Sequence, residues 1–252
     1  MNISKTLKDA VERGNVPGVI AAAATDRGTI FEGAAGGLKT DSVIWIASMT
    51  KAITAAAAMQ MVERGKLSLD APASEIVPEI AKKEVLVSLG DDGTVKTRPA
   101  RRPITLRHLL THTSGMGYDT WDADILRYVQ LKGPFKPATM AALSTPLLFD
   151  PGERWQYSIA IDWAGFMVEA ASGLKLDRYM AENIFAPLGM ADTGFRITPA
   201  MRPRKAAVHL RKDGGFVATD HELDQNPEVF MGGGALYSTV GDYLKFTRAL
   251  LL

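Results

Sequence analysis

Trp45-Ile46-Ala47-Ser48-Met49-Thr50-Lys51-Ala52-Ile53-Thr54-Ala55 is the stretch on which the reading of this chain turns. Ala, Met and Ile dominate from Ala47 onward. The residues therefore predict a helix whose first turn holds Ser48 and which stops at Gly65, where a residue tolerant of positive φ is wanted. Residues three apart share a helix face, so Lys51 lies beside the Ser48 hydroxyl. A serine hydroxyl is a poor nucleophile until a base takes its proton, and a lysine can be that base only where desolvation or a nearby positive charge eases the loss of its own. An Ala-rich, half-buried helix start supplies the desolvation, and the Ser48 N–H at the positive end of the helix dipole can donate to an oxyanion. Taken alone, the Ser-x-x-Lys tetrad reads more readily as a capping serine followed by a solvated lysine, so its neighbours decide.

Before this stretch, residues 3–13 form an amphipathic stripe of Ile3, Leu7, Ala10 and Val11, and the runs Val19 to Ala24 and Thr29 to Ala34 flank the turn Asp26-Arg27-Gly28 as a hairpin. Beyond it, Pro72, Pro78, Gly90-Asp91-Asp92-Gly93 and Pro99 predict loops with one small hairpin over 67–103. Thr105 can cap a short helix over Leu106 to Thr111, and helical patterns follow at 122–131, 137–144, 160–172 and 175–185. A second small hairpin is expected around Asp213-Gly214-Gly215, and a last helix from Thr239 with Asp242 as its capping-box partner. The expected organisation is one catalytic domain over 1–252: a helix and sheet hairpin in 1–46, a mainly helical region in 47–204, and a small hairpin with the last helix in 205–252.

Of the 252 residues 46% are apolar, enough to bury an enzyme-sized core. Lys plus Arg number 29 against 28 for Asp plus Glu, a balance that offers no field to gather nucleic acid or coat an anionic membrane. There is no cysteine, which removes thiolate catalysis and zinc-thiolate sites. The charged start, with Lys5, Lys8, Asp9, Glu12 and Arg13, lacks the apolar core of a signal peptide, and no apolar run is long enough to span a bilayer. A cytoplasmic protein is the expectation.

Three segments carry a resemblance. Trp45 to Ala55 resembles the nucleophile segment of family VIII carboxylesterases and class C β-lactamases, members of the serine β-lactamase and penicillin-binding-protein superfamily. Ile104-Thr105-Leu106-Arg107-His108-Leu109-Leu110-Thr111-His112-Thr113-Ser114-Gly115 is similar to the segment after their nucleophile helix, and Pro151-Gly152-Glu153-Arg154-Trp155-Gln156-Tyr157-Ser158 to the region of their catalytic tyrosine. The resemblance implies an α+β fold, a helical subdomain packed against an antiparallel sheet. It also implies a catalytic set of Ser48, Lys51 and Tyr157, with Tyr157 shuttling the Ser48 proton to the leaving group. By itself Tyr157 reads as an ordinary half-buried tyrosine. Many lactamase-type relatives have Asn two residues after this tyrosine; here Ile159 stands there, which favours esters over lactams.

Tyr118 and Trp121 after the Gly115 turn, and Phe230 and Met231 before the glycines of Gly232-Gly233-Gly234, are candidates for the substrate pocket, with plain packing the alternative. No Lys follows those glycines as in a phosphate loop, so a close backbone approach is the expected reason for them. His108 and His112 are four apart, but Leu109 replaces the glutamate of a zinc hydrolase, so His112 is read as bonding around its turn and no metal or other cofactor is expected. Members of the resembling families continue with further strands that complete the sheet, and the chain ends on apolar Leu250-Leu251-Leu252. The expectation is a C-terminally truncated chain, of uncertain activity by itself, whose sheet a complementing segment or a second copy in a homo-oligomer would complete. The function expected is hydrolysis of short-chain carboxylic esters through an acyl-serine, acting on a small-molecule ester or amide. β-Lactam hydrolysis, D-amino-acid peptide cleavage, acyl transfer and a catalytically silent ligand-binding fragment are the alternatives.

Overall fold

Small apolar residues from Val19 build the first hairpin, in which Val19–Thr25 pairs antiparallel with Gly28–Ala35 and a register shift falls between Ala23 and Ala24. The computed structural model describes residues 2–251 of the chain, which fold as two compact units. One unit comprises residues 2–47, 181–225 and 235–251; the other comprises 48–180 and 226–234. Among the described residues the strands pair as four two-stranded antiparallel ladders.

In the first unit, the helix Ile3–Glu12 lies against the second strand of that hairpin and the helix Val240–Ala249 against the first. A second ladder joins Ile44–Trp45 to Tyr237–Ser238, and a core of Val43, Ile197, Met201 and Tyr237 gathers beside it. Two-residue strands nearly two hundred positions apart leave no alternation in sequence, so this ladder is visible only in the fold. The expected hairpin forms at Val208–Lys212 and Gly215–Thr219. Thr239 caps the last helix by accepting from the Asp242 N–H at 3.2 Å, but the Asp242 carboxylate turns away from the expected box to accept from Asp192 N–H at 2.7 Å and Lys245 Nζ at 2.7 Å.

The second unit is mainly helical. Thr50–Glu63 buries Ile53, Thr54, Ala57, Ala58 and Met61, a stripe at three- and four-residue spacing, against the helix Ala160–Ser172. A Gln60 side-chain oxygen accepts from Tyr179 OH at 2.9 Å. The small hairpin expected among the loops of 67–103 forms as Glu84–Leu89 paired with Val95–Pro99. The helix expected over 137–144 is limited to Met140–Leu143, because Ala138 takes a φ of +57° and Thr139 supplies the first capping oxygen. The one expected over 175–185 is α-helical at Leu176–Met180 in this unit, and its remainder, Ala181–Phe185, which belongs to the first unit, takes a π-type turn ahead of Pro187, which has no N–H to continue the ladder. Among the described residues no helix is long and apolar enough to cross a membrane.

A buried lysine sets a pH dependence in this unit. Lys83 Nζ donates to the carbonyls of Leu143 at 2.8 Å and Thr145 at 2.7 Å and lies 5.2 Å from the centre of the Trp163 ring. Burial pulls its pKa from the ordinary 10.5 down to about 7. Between those two values the unfolded chain holds a proton that the folded chain lacks, so stability rises with pH across that window and has no slope from this group below it. Compared with Lys83→Met, the wild type is expected to gain on the order of 3 kcal/mol between pH 7 and pH 10. Urea denaturation of both proteins at several pH values measures the gap; a constant gap means Lys83 stays charged inside the fold.

Candidate active site

The chain enters the Thr50–Glu63 helix through strain. Ala47, which has a Cβ, takes a φ of +43°, and Ala47–Met49 form a 3₁₀ turn before the α-helix begins. A non-glycine residue held in this region costs on the order of 1 kcal/mol or more, and such outliers gather where a turn must present a side chain. Met49 occupies the N-cap position and makes no side-chain cap, so Ser48 is not the capping serine of the bland reading. Ser48 stays exposed while Thr50, Ile53 and Thr54 are buried.

Lys51 returns one turn later to the same face. Its Nζ donates to Ser48 Oγ at 3.2 Å, to Tyr118 OH at 3.2 Å and to the Gly233 carbonyl at 2.5 Å. Three oxygens thus surround the ammonium.

Tyr157 stands over the same ammonium, with its ring centre 4.8 Å from Lys51 Nζ. Partial burial pushes the phenol's pKa up, but hydrogen bonding with Ser48 and Lys51 and the charge on Lys51 outweigh this, and the net shift is downward from 10.0. Tyr118 goes the other way, raised by burial and by the Asp162 charge. Four rings surround Tyr157: His112 at 4.8 Å, Trp121 at 5.4 Å, Tyr118 at 5.6 Å and Trp155 at 6.4 Å between centres. Trp121 and Trp155 are 64% and 65% exposed, so this aromatic wall opens to solvent and offers flat apolar surface next to Ser48 and Lys51.

The histidines separate. His108 Nδ1 accepts from the Thr105 N–H at 3.3 Å as the third residue of a capping box, whereas His112, at a φ of +57°, sets its Nδ1 3.2 Å from Ser158 Oγ and its carbonyl on the Gln156 N–H. Burial, then the Lys51 charge, brings the His112 pKa down to about 4, so the ring is neutral through the physiological range. Ser158 also accepts from the Ala160 N–H at 3.3 Å, which ties the start of the Ala160–Ser172 helix, and Tyr157 just before it, to the His112 turn.

The glycines at 232 and 233 make a close approach. A Cβ on Gly232 would lie 2.9 Å from Thr54 Cγ2, and one on Gly233 would lie 2.7 Å from Asp162 Oδ2. Thr54 Oγ1 donates to the Gly232 carbonyl at 2.7 Å, and Asp162 Oδ1 accepts from the Gly233 N–H at 2.6 Å. Burial raises the Asp162 pKa to about 6, against the opposing effects of that N–H and of Lys51.

Comparison with known proteins supplies the family and the fold. The profile of the family described as Beta-lactamase matches residues 3–252. The chain belongs to the β-lactamase family. The lovastatin esterase of Penicillium rubens is 36% identical over 267 residues, covering 98% of this chain and 67% of that protein. The monacolin J acid methylbutanoyltransferase of Aspergillus terreus is 36% identical over 223 residues, covering 85% of this chain and 54% of that protein. The simvastatin synthase structure from Aspergillus terreus described as the LovD6 mutant superposes with a TM-score of 0.88 at 34% identity, over 97% of this chain and 63% of that one. The fold is thus the β-lactamase/transpeptidase-like arrangement of helices and antiparallel strands, in a superfamily of serine hydrolases and acyltransferases, and the chain spans about half to two thirds of these relatives' lengths.

Of the residues singled out in the sequence, the fold brings Ser48, Lys51, Tyr157, Tyr118 and Trp121 together. Phe230 is buried and Met231 half-buried, just before the glycines. Sequence reasoning missed Trp155 and Asp162 as site residues. Asp162 had a readable signal, being the one acid in the apolar run Ile159 to Val168. Trp155 had none beyond its neighbourhood to Tyr157.

Proposed function

We propose that this site moves the acyl group of a small carboxylic ester onto Ser48 and releases it to water. The observation that carries this reading is the convergence of Ser48 Oγ, the Lys51 ammonium and a Tyr157 phenol of lowered pKa on one exposed face. Tyr157, as phenolate, takes the Ser48 proton while Oγ attacks the ester carbonyl. The tetrahedral oxyanion is met by the Ser48 N–H at the start of its helix. As the intermediate collapses, the C–O bond of the leaving alcohol breaks and Tyr157 returns the proton to it. Water then repeats the sequence in reverse, giving the acid and free Ser48. Lys51 keeps its charge beside Tyr157 throughout, held by the oxygens of Ser48, Tyr118 and Gly233.

A second reading differs only in the acceptor. The methylbutanoyltransferase relative supports transfer of the acyl group to an alcohol, and the flat aromatic wall of Tyr118, Trp121 and Trp155 suits an apolar acceptor better than it suits water. The test is a set of p-nitrophenyl esters with and without an added apolar alcohol, followed by mass spectrometry. Acyl-Ser48 with free acid as product supports hydrolysis; a new ester at unchanged nitrophenol release supports transfer. An unmodified Ser48 in a folded chain overturns both.

A further inference from the structure

An acid is out of place at Asp162. The helix around it is apolar, with Ile161, Trp163 and Ala164 all buried, and Asp162 itself is only 2% exposed. Its Oδ1 accepts from the Gly233 N–H at 2.6 Å, while Oδ2 has no hydrogen-bond partner. Burying a carboxylate with one oxygen unfilled is unfavourable, and neither proton transfer nor oxyanion binding at Ser48 uses it.

What it does hold is a peptide fixed at both ends. The 232–233 peptide gives its carbonyl to Thr54 Oγ1 and its N–H to Asp162, and the next carbonyl, that of Gly233, receives Lys51 Nζ. Lys51 and Thr54 are three apart on one helix face, so that helix grips two successive carbonyls while Asp162, from the Ala160–Ser172 helix, grips the N–H between them. Neither glycine has room for a methyl group at this contact.

Resting on the hydrolase reading of Ser48, we propose that Asp162 is a positioning residue: by fixing the Gly232–Gly233 backbone it aims the Gly233 carbonyl at Lys51 and so keeps the ammonium beside Ser48. Its charge acts on the same group of residues. The ionisable side chains that feel it are Lys51 on the Thr50–Glu63 helix, Tyr118 after the Gly115 turn and Tyr157 before the Ala160–Ser172 helix; it attracts the first and opposes ionisation of the other two.

Asp162→Asn keeps the shape and an acceptor oxygen but removes the charge. The rate of Ser48 modification by a fluorophosphonate, and kcat and KM for p-nitrophenyl acetate, are measured from pH 5 to 9 on the full 252-residue chain, with circular dichroism as the folding control. Displacing a catalytic group by a fraction of an ångström to an ångström slows reactions by up to about 100-fold, so the variant is expected to label Ser48 about 10- to 100-fold more slowly with KM within about threefold of wild type. The wild-type rate is expected to fall on acidification as Asp162 takes up a proton near its value of about 6. In the variant that step disappears, and the rise controlled by Tyr157 moves to lower pH. Thr54→Val, which releases the other end of the same peptide, is expected to slow labelling about threefold to tenfold. Wild-type labelling rates with an unmoved profile in Asp162→Asn overturn the positioning role and leave the hydrolase reading intact. A slower variant whose profile does not move overturns it too, since a purely structural role predicts that result. If Asp162→Asn fails to fold, Thr54→Val decides, and a wild-type rate there overturns the proposal. A wild-type chain that leaves Ser48 unlabelled sinks the hydrolase reading itself.

Discussion

Ser48→Ala is expected to lower ester turnover by at least about 10³-fold and to remove every covalent adduct, because the acyl group then has no oxygen to occupy and only binding and oxyanion contacts act on the ester. The change should leave the fold untouched. Ser48 is exposed, it caps no helix, and its side-chain hydrogen bonds, with Lys51 and Tyr157, stay within the site itself. Thermal unfolding within about a degree of the wild type, together with intact-mass spectra after fluorophosphonate treatment, separates lost chemistry from lost structure. Equal turnover in Ser48→Ala would mean that the activity belongs to another group on the surface.

Tyr157→Phe is expected to cost about 10²- to 10⁴-fold in kcat/KM, the usual range for removing a general acid-base, with little change in KM. Its pH profile is the sharper signature. Burial raises the phenol while hydrogen bonds from Ser48 and Lys51 and the Lys51 charge lower it further, so ionisation falls below the ordinary 10.0. The wild-type kcat/KM should therefore climb with pH and level off before pH 10, and the Phe variant should lack that climb. Lys51→Met removes the charge that favours the phenolate and is expected to push the same climb to higher pH, in addition to a large loss in rate. A Phe variant with the wild-type profile assigns the proton to another base. Neutral His112, with a pKa of about 4, already titrates too low to produce a rise in that range.

Much of this was legible without coordinates because it is local. The Ser48–Lys51 pairing follows from helical spacing, the two outer hairpins from apolar runs about glycine turns, and the short helix after Thr105 from its capping residue. The close approach at Gly232 and Gly233 was readable from the absence of a following lysine, although what they approach was not. Where local rules failed, a longer-range competitor won. Asp242 gave up its capping box for Asp192 and Lys245, and the Ile44–Trp45 ladder with Tyr237–Ser238 has no local pattern at all.

The amino-acid order alone determined that Lys51 would fall beside Ser48, since side chains three apart share a face in the 3₁₀ turn that holds Ser48 as in the α-helix that follows it. Only the tertiary structure decided what surrounds that pair. Tyr118, Tyr157 and Gly233 come from segments 67 to 182 positions away from Lys51, and a residue's pKa is set by the charges and dipoles that packing brings within a few ångströms of it, whatever their distance along the chain.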